Sequence, residues 1–370
     1  MPRSRSDPAG LGPPVCRQSM GRVSSSGGLL MRPLVVLVGE PLRSVLRTGL
    51  KCAWFAGQNC RVGRTASGQI GSAAARRTVT WHNAAVQITK TSGADGFVVV
   101  DLPDAATATG IVRCARKILQ DGAVNLARSL TYSYAAFGIP TSGASAGINA
   151  DGDGRDEAVA AFVAELAPRV ADGSLQLSAG KGVTDADLEP WAVVADDGAD
   201  AALVAAVVAA AAATVDLAGA TVAVEAGAPA SEAIAAGFAA AGADAAVLPL
   251  AELLAAGRGV VVVGSKAGVL DHENVGALGA AIIVGAAGQA VTARALATAR
   301  RNGATVLPDF VSAAGPLLAA SGEADIAARV TEVVRSVLDH EEGPYLGACY
   351  AAEAFLRTWS SELPFGRPLA

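Results

Sequence analysis

Between residues 221 and 307 the chain alternates short apolar runs with helical ones, and few architectures satisfy that pattern. Strands are expected at Thr221–Glu225, Ala245–Leu248, Val260–Gly264, Ala281–Val284 and Thr305–Leu307. Helices are expected between them at Ser231–Ala241, Leu250–Ala256 and Thr292–Asn302. Apolar strands alternating with helices predict an α/β fold with a doubly wound parallel sheet and helices on both faces. A helix of strong formers, Ala201 to Ala213, leads into this region. The apolar run around it is bounded by Asp200 and Asp216, and no stretch reaches the ~18 residues of a membrane span.

The chain on either side reads differently. Residues 1–80 are rich in Arg, Ser and Gly and carry twelve Lys/Arg against two acids. A targeting segment, a disordered basic tail and an over-extended translation start are all open readings for them. From about Trp81 the character changes, with strands expected at Ala84–Thr89 and Gly96–Asp101. Thr107 to Leu119 has helical spacing through Ile111, Ala115, Ile118 and Leu119, and Asp121-Gly122 is expected to interrupt it. Arg155 to Val170 is amphipathic, Asp172-Gly173 closes it, and a short strand is expected at Leu175–Leu177. After residue 320 two apolar stripes at helical spacing follow, one from Ile326 to Val337 and one from Tyr345 to Trp359.

Composition narrows the function classes. The net charge of −5 argues against nucleic acid as a partner. The five cysteines contain no C-x-x-C pair and lie far from the three histidines, so no metal or redox site is expected. Reduced thiols in a cytoplasm are the default reading.

The most informative stretch is Leu130 to Asp151, LTYSYAAFGIPTSGASAGINAD. It reads as the end of an apolar helix, a break at Gly138-Ile-Pro140, and a loop of small residues. Its order, T-Y-x-x-A, a step to Pro, then G-A-x-x-G-I, resembles the signature of the Glu/Leu/Phe/Val dehydrogenase family. Thr131, Tyr132, Ala135, Pro140, Gly143, Ala144, Gly147 and Ile148 fall in register. A second matching segment runs from Gly264 to Gly315, with Asn274, Gly285, Ala286, Pro308, Asp309, Ala314 and Gly315 aligned. The resemblance covers roughly residues 95–320.

That resemblance implies a mixed α/β domain over 81–200 that binds substrate and associates subunits, and a Rossmann-like dinucleotide-binding domain over 201–320. C-terminal helices over 321–370 would pack near the cleft between them, and residues 1–80 would be an extension outside the fold. It implies NAD or NADP as cofactor, oxidative deamination of an L-amino acid as the reaction, and a homo-oligomer.

The family's functional positions are where the chain departs. A lysine that clamps the substrate carboxylate falls at Ser133, a second lysine that works with water falls at Ser145, and the proton-shuttling aspartate falls at Gly180. Lys181 is the nearby charge that could substitute, and it also reads as a solvated loop lysine. Serine is neutral at pH 7, and each lost acid–base group is worth roughly 10²–10⁴ in rate. The glycines of the dinucleotide turn fall at Ala226, Ala228 and Ser231, and Pro229 removes a backbone N–H. Two family asparagines near the nicotinamide fall at Gly288 and Ala313. The expectation is a family member that lacks turnover and acts by binding a small ligand or a paralogous subunit. The alternative is an active NAD(P)-dependent amino-acid oxidoreductase with a rearranged site. In either case the 140–148 segment and the 226–231 turn are expected to face each other across a pocket.

Overall fold

A computed structural model describes residues 86–192, 198–279 and 281–370, which belong to one compact unit. Residues 1–80 and the expected strand start at Ala84 lie outside the described residues.

Two five-stranded sheets organise the unit. The first contains β1 (Gln87–Lys90), β2 (Gly96–Val100), β3 (Ala108–Ala115), β4 (Ser142–Asn149) and β5 (Leu175–Ala179), in the order β1-β2-β4-β3-β5. β1 and β2 pair antiparallel, as do β2 and β4, while β3 runs parallel to both β4 and β5. This sheet is mixed, and its centre is β4.

Two sequence expectations are corrected here. The small-residue stretch after Pro140 is not a loop but β4, with all but its last residue buried. Its residues are small because α1 (Gln120–Ala136) lies directly on it. A Cβ on Gly143 would stand 1.8 Å from the carbonyl oxygen of Ala127. The hydroxyl of Thr131 accepts a hydrogen bond from the Gly143 N–H at 2.9 Å, which fastens helix to strand. The segment from Thr107 to Leu119 is likewise not a helix. Its first eight residues after Thr107 form β3, where Ala108, Gly110, Val112 and Cys114 are buried in strict alternation. The helical spacing of Ile111 and Ala115 was coincidental with a period of two. Asp121-Gly122, expected to break the chain, sits in the first turn of α1.

The even-numbered face of β3 and β4 packs against α2 (Arg155–Ala171), whose stripe Val159, Phe162, Val163 and Leu166 is buried there. The odd-numbered face meets Phe97 and Val99 of β2 and the Ala123 and Ala127 side of α1.

The second sheet contains β6 (Thr221–Glu225), β7 (Asp244–Leu248), β8 (Val260–Val263), β9 (Ile282–Gly285) and β10 (Thr305–Val306), all parallel, in the order β10-β9-β8-β6-β7. It matches the expected strands, and α4 (Ser231–Ala240), α5 (Leu250–Ala255) and α6 (Ala293–Arg301) match the expected helices. In sheet order β6 is followed by β7 on one side and by β8 on the other. The direction of winding therefore reverses between β6 and β8, and the crevice outside their carboxyl ends is where such sheets bind ligands.

Helices α3 (Ala199–Ala212), α7 (Asp309–Ser312), α8 (Gly315–Ala320), α9 (Ile326–Val337) and α10 (Pro344–Leu356) complete the unit. α1 joins the two sheets' surroundings, because it packs on α7 and α10 as well as on β4. The rings of Tyr132, Phe310 and Tyr345 run through this joint edge to face, with centroids 5.8 and 5.6 Å apart.

Candidate functional site

The structure brings two of the three expected reaction positions to one place. Residues 109, 111 and 113 of β3, 143, 145 and 147 of β4, and 176 and 178 of β5 share one face of the mixed sheet, as strand alternation requires. Ser145 is fully buried, and its hydroxyl accepts a hydrogen bond from Nη2 of Arg113 at 3.2 Å. Gly180 follows β5 and bonds to the Val112 carbonyl at 2.9 Å. A Cβ on Gly180 would lie 2.8 Å from that carbonyl oxygen and 3.0 Å from Cγ of Arg113. There is no room at 180 for an aspartate as the strands now stand. Arg113 thus lies between the two positions and fills space beside both.

The third position, Ser133, is on α1 and buried, and its hydroxyl donates to the Ser129 carbonyl one turn back at 3.1 Å. Lys181 is exposed at the surface, while its backbone carbonyl accepts from Cys114.

Beside this face a pocket of about 420 Å³ opens between the mixed sheet and the second half of the chain. Thr109 and Ile111 of β3, Leu130 and Tyr134 of α1, and Ser178 of β5 form one wall, and Pro316 and Leu317 of α8 face them. Asp185 is at its rim. Burial raises the Tyr134 phenol above its ordinary pKa, with Thr109 hydrogen bonding opposing the shift. The expected pocket walls, 140–148 and the 226–231 turn, do not line it. The first is buried as β4 and the second belongs to the parallel sheet.

At the carboxyl edge of the parallel sheet the crevice between β6 and β8 is filled by the protein itself. Glu225 is 3% exposed and ends β6. Its Oε2 accepts from the backbone N–H of Gly264 at 2.9 Å and of Ser265 at 3.1 Å, and its Oε1 accepts from the Ser265 hydroxyl. The donors of the loop after β8 that face the crevice already hold a carboxylate.

The turn that follows is partly committed. The Ala226 N–H bonds to Leu248, the Ala228 N–H bonds to Glu225, and Pro229 has none. Ala230 takes φ +49°, a left-handed conformation costing a non-glycine residue roughly 1–2 kcal/mol. Ser231 opens α4 with Glu232 in its first turn. Gly288 lies against α1, where a Cβ would stand 2.4 Å from the Ser129 hydroxyl, so a larger residue requires that side chain to move. Ala313 caps the end of α7 and carries no polar side chain.

The sequence reading missed Glu225 and Arg113 as site residues. Glu225 could be found as an acid ending an otherwise apolar strand at a winding reversal. Arg113 was hidden by the helical assignment of its strand.

A buried carboxyl supports the edge from below. Asp309 is 1% exposed, accepts from the Ala290 N–H at 2.8 Å and lies 3.0 Å from the Tyr345 hydroxyl. That hydroxyl is also 2.6 Å from the Pro368 carbonyl oxygen. One phenolic proton cannot serve two acceptors, so the group is fully satisfied when Asp309 carries a proton. Burial pushes Asp309 up to about 7, against the opposing hydrogen bonds of Tyr345 and the backbone, which fits that assignment.

Among the described residues no three His, Cys, Asp or Glu side chains form a metal-binding group, and no helix is long and apolar enough to cross a membrane.

No protein-family model matches the sequence, and no curated protein does. Solved structures do. The chain is similar to L-tryptophan dehydrogenase from Nostoc punctiforme, with a TM-score of 0.59 and 16% identity over 75% of this chain and 96% of that one. It is similar to the hetero-hexameric glutamate dehydrogenase from Thermus thermophilus, with a TM-score of 0.60 and 23% identity over 70% and 83%. Glutamate dehydrogenase from Peptoniphilus asaccharolyticus gives 0.57 and 15% over 71% and 86%. The chain has the two-sheet fold of the amino-acid dehydrogenases.

Proposed function

We propose that this protein is a non-catalytic member of the amino-acid dehydrogenase family that acts by binding a ligand or a partner subunit. The observation that carries the reading is the Glu225 carboxylate, which takes the backbone N–H groups of Gly264 and Ser265 in the crevice where the fold would seat a nicotinamide dinucleotide. A carboxyl group at that point competes with pyrophosphate, and in the turn that follows the Ala226 and Ala228 N–H groups are already bonded and Pro229 has none. On the other side of the joint, Ser133 and Ser145 exchange no proton at neutral pH, and Gly180 has no space to regain an acid. The surrounding fold is retained, and so is a pocket large enough for a small molecule.

The domain division in this reading is 81–200 around the mixed sheet, 201–320 around the parallel sheet, and 321–370 as the helices that close on α1. Self-association runs along β1. That strand is a sheet edge with all four residues exposed, Ile88 at 41%, and an edge of this kind invites a second copy. Sedimentation at micromolar concentration should show an oligomer, and a strict monomer would remove that part of the reading.

The main test is titration calorimetry of the full chain with NAD(H) and NADP(H), followed by turnover assays with common L-amino acids. No binding below millimolar concentration and no reduction are expected. Cofactor-dependent turnover above a heat-treated control would replace this reading with an active oxidoreductase of rearranged site.

A further inference from the structure

After α10 the chain crosses the joint between the two sheets without forming a helix or strand of its own. At one end of the crossing the Ser361 hydroxyl donates to Asp104, between β2 and β3, at 3.1 Å. At the other the Ala370 N–H donates at 3.3 Å to the carbonyl of Val291, in the loop after β9. A Cβ on Gly268, in the loop after β8, would stand 3.4 Å from Ala370. Between these ends Pro364 and Pro368 are buried, and Leu363 and Leu369 pack against the core. Gly366 turns the segment at φ +85°, and Arg367 lies 4.2 Å over the Tyr350 ring with its Nε donating to Glu353 at 2.9 Å. Residues 361–370 thus reach from the mixed sheet to the loops at the carboxyl edge of the parallel sheet. They are held by separate contacts rather than by a ladder, and such a segment opens at less cost than the sheets beneath it.

Two buried phenols reach this segment from below. The Tyr132 hydroxyl lies 3.2 Å from the Glu353 carboxylate and 3.4 Å from the Gly366 carbonyl oxygen. The Tyr345 hydroxyl lies 2.6 Å from the Pro368 carbonyl oxygen and 3.0 Å from Oδ1 of Asp309, and its proton goes to one of the two. While Asp309 is protonated it donates to the phenol oxygen, and the phenol proton is left for Pro368. Once Asp309 ionises, the carboxylate is the stronger acceptor, and the carbonyl of a buried proline loses its donor. Burial holds the Tyr345 phenol well above its ordinary pKa, so that proton stays available throughout, and pushes Asp309 up to about 7. Asp309 is also faced by the N–H groups of Gln289, Ala290 and Phe310, which favour its ionised form, and by the Cys349 thiol of α10, which burial keeps protonated. The charges beside Cys349, Glu353 and Arg367, are paired with each other.

We propose that residues 361–370 are a strap that closes the joint between the two sheets, and that the Tyr345 hydroxyl is its latch, engaged on the Pro368 carbonyl while Asp309 is neutral and drawn onto Asp309 when that group ionises. The Asp309 proton is lost as pH rises through its folded value, so the latch is engaged in mild acid and slack above neutrality. Release of the strap uncovers the loops after β8 and β9, at Gly268 and Val291, and the side of α1 that carries Arg128 and Tyr132. Those loops leave the carboxyl edge of the parallel sheet, so the strap governs access to that end of the crevice. Nothing in this device requires a cofactor or turnover, and it stands or falls apart from the proposed function.

The test is amide hydrogen exchange of the full chain at pH 5.5 and pH 8, corrected for the intrinsic pH dependence of exchange and read by mass spectrometry on peptides covering the strap. The Leu369 and Ala370 amides, bonded to the Arg367 and Val291 carbonyls, are the reporters. At both pH values they should exchange faster than the amides of β8, which marks local opening. Their protection should fall by on the order of tenfold from the lower pH to the higher. Asp309→Asn donates to the phenol oxygen at every pH and should keep the strap at its low-pH protection throughout. Tyr345→Phe removes the latch, so its strap should be slack at both pH values, while the stability slope set by Asp309 remains in its denaturation curves. The proposal is overturned if strap protection in the parent is the same at both pH values, if the fall persists in Asp309→Asn, or if Tyr345→Phe keeps the pH response of the strap. The parent comparison needs no variant, so a substitution that prevents folding does not shield the proposal from refutation.

Discussion

The odd-numbered face of the mixed sheet and the carboxyl edge of the parallel sheet hold their polar groups in opposite ways. On the mixed sheet, small residues stand at Ser145 and Gly180, and the space between them is taken by a cation with no acid beside it. On the parallel sheet, an acid has been set into the crevice and saturated with donors from the neighbouring loop. One region keeps a pocket and an unsatisfied charge. The other satisfies itself and leaves little for a ligand. Loss of the expected groups is therefore a poor guide to whether a site still binds, and the hydrogen-bond inventory of what remains is a better one.

The largest effect should come from emptying the filled crevice. Glu225→Ala leaves two buried N–H groups and a hydroxyl without their acceptor, which should destabilise the fold by about 3–4 kcal/mol in urea unfolding. Glu225→Gln keeps an acceptor for the N–H groups and should cost about 1 kcal/mol. If Glu225→Ala were as stable as the parent, the crevice would be a vacated site with an idle carboxylate, and the contrast with the mixed sheet would fail.

Next is the pH dependence set by Asp309. An unfolded aspartate titrates near 3.9, and burial holds the folded one at about 7. Between those values the native state keeps a proton that the unfolded chain has lost. Stability should therefore fall as pH rises from about 4 to about 7 and level off above, by on the order of 3 kcal/mol from this group. Asp309→Asn can donate to the Tyr345 oxygen and accept from Ala290, so it should fold and remove most of that slope in denaturation curves taken between pH 4 and 8. Asp101, raised to about 6 by burial against the opposing pull of Thr131 and Arg128, adds a smaller slope of the same sign. Asp187 slopes the other way. Its pair with Arg155 holds it well below the carboxylate range, so its contribution is lost only in strong acid. A parent protein with flat stability from pH 4 to 7 would contradict the neutral Asp309 that the Tyr345 geometry requires.

A smaller effect measures how far the mixed-sheet face has closed. Gly180→Ala places a methyl 2.8 Å from the Val112 carbonyl and against Arg113, and should cost about 2 kcal/mol by overpacking. If it cost nothing, the face would have room to regain an acid, and its difference from the filled crevice would be one of chemistry alone.

The sequence disclosed these two regions unequally for a physical reason. The parallel sheet is made of short apolar runs whose partners are near in sequence, so strand and helix limits in 221–307 were readable within a residue or two. The mixed sheet is assembled from β3, β4 and β5, whose paired residues lie 34 to 67 positions apart. Its central strand, β4, is mostly Ser, Gly and Ala, residues with little strand signal of their own. Their smallness is an answer to α1 lying on β4, a fact visible only once Gly143 and Ala127 are seen in contact. The positions of Ser133, Ser145 and Gly180 could be named by resemblance. That Arg113 stands between two of them could not, because a helix over 107–119 would have carried it elsewhere.

The smallest expected effect separates Arg113 from the cation that the sequence nominates. Lys181 is adjacent to Gly180, where the resemblance leads one to expect an aspartate, yet its side chain is exposed, and only its backbone carbonyl is tied to the sheet. An exposed lysine without a partner contributes little, so Lys181→Ala should change stability by less than about 0.5 kcal/mol. Its charge is screened by water and salt, whereas that of Arg113 is partly withdrawn from both. Arg113→Gln removes a partly withdrawn charge with no acid beside it, so in the same urea unfolding series it should cost no more than about 1 kcal/mol. A loss above about 1 kcal/mol for Lys181→Ala would mean that its side chain ties the loop to the sheet, and the mixed-sheet face would then be held at its rim much as the crevice is held by Glu225.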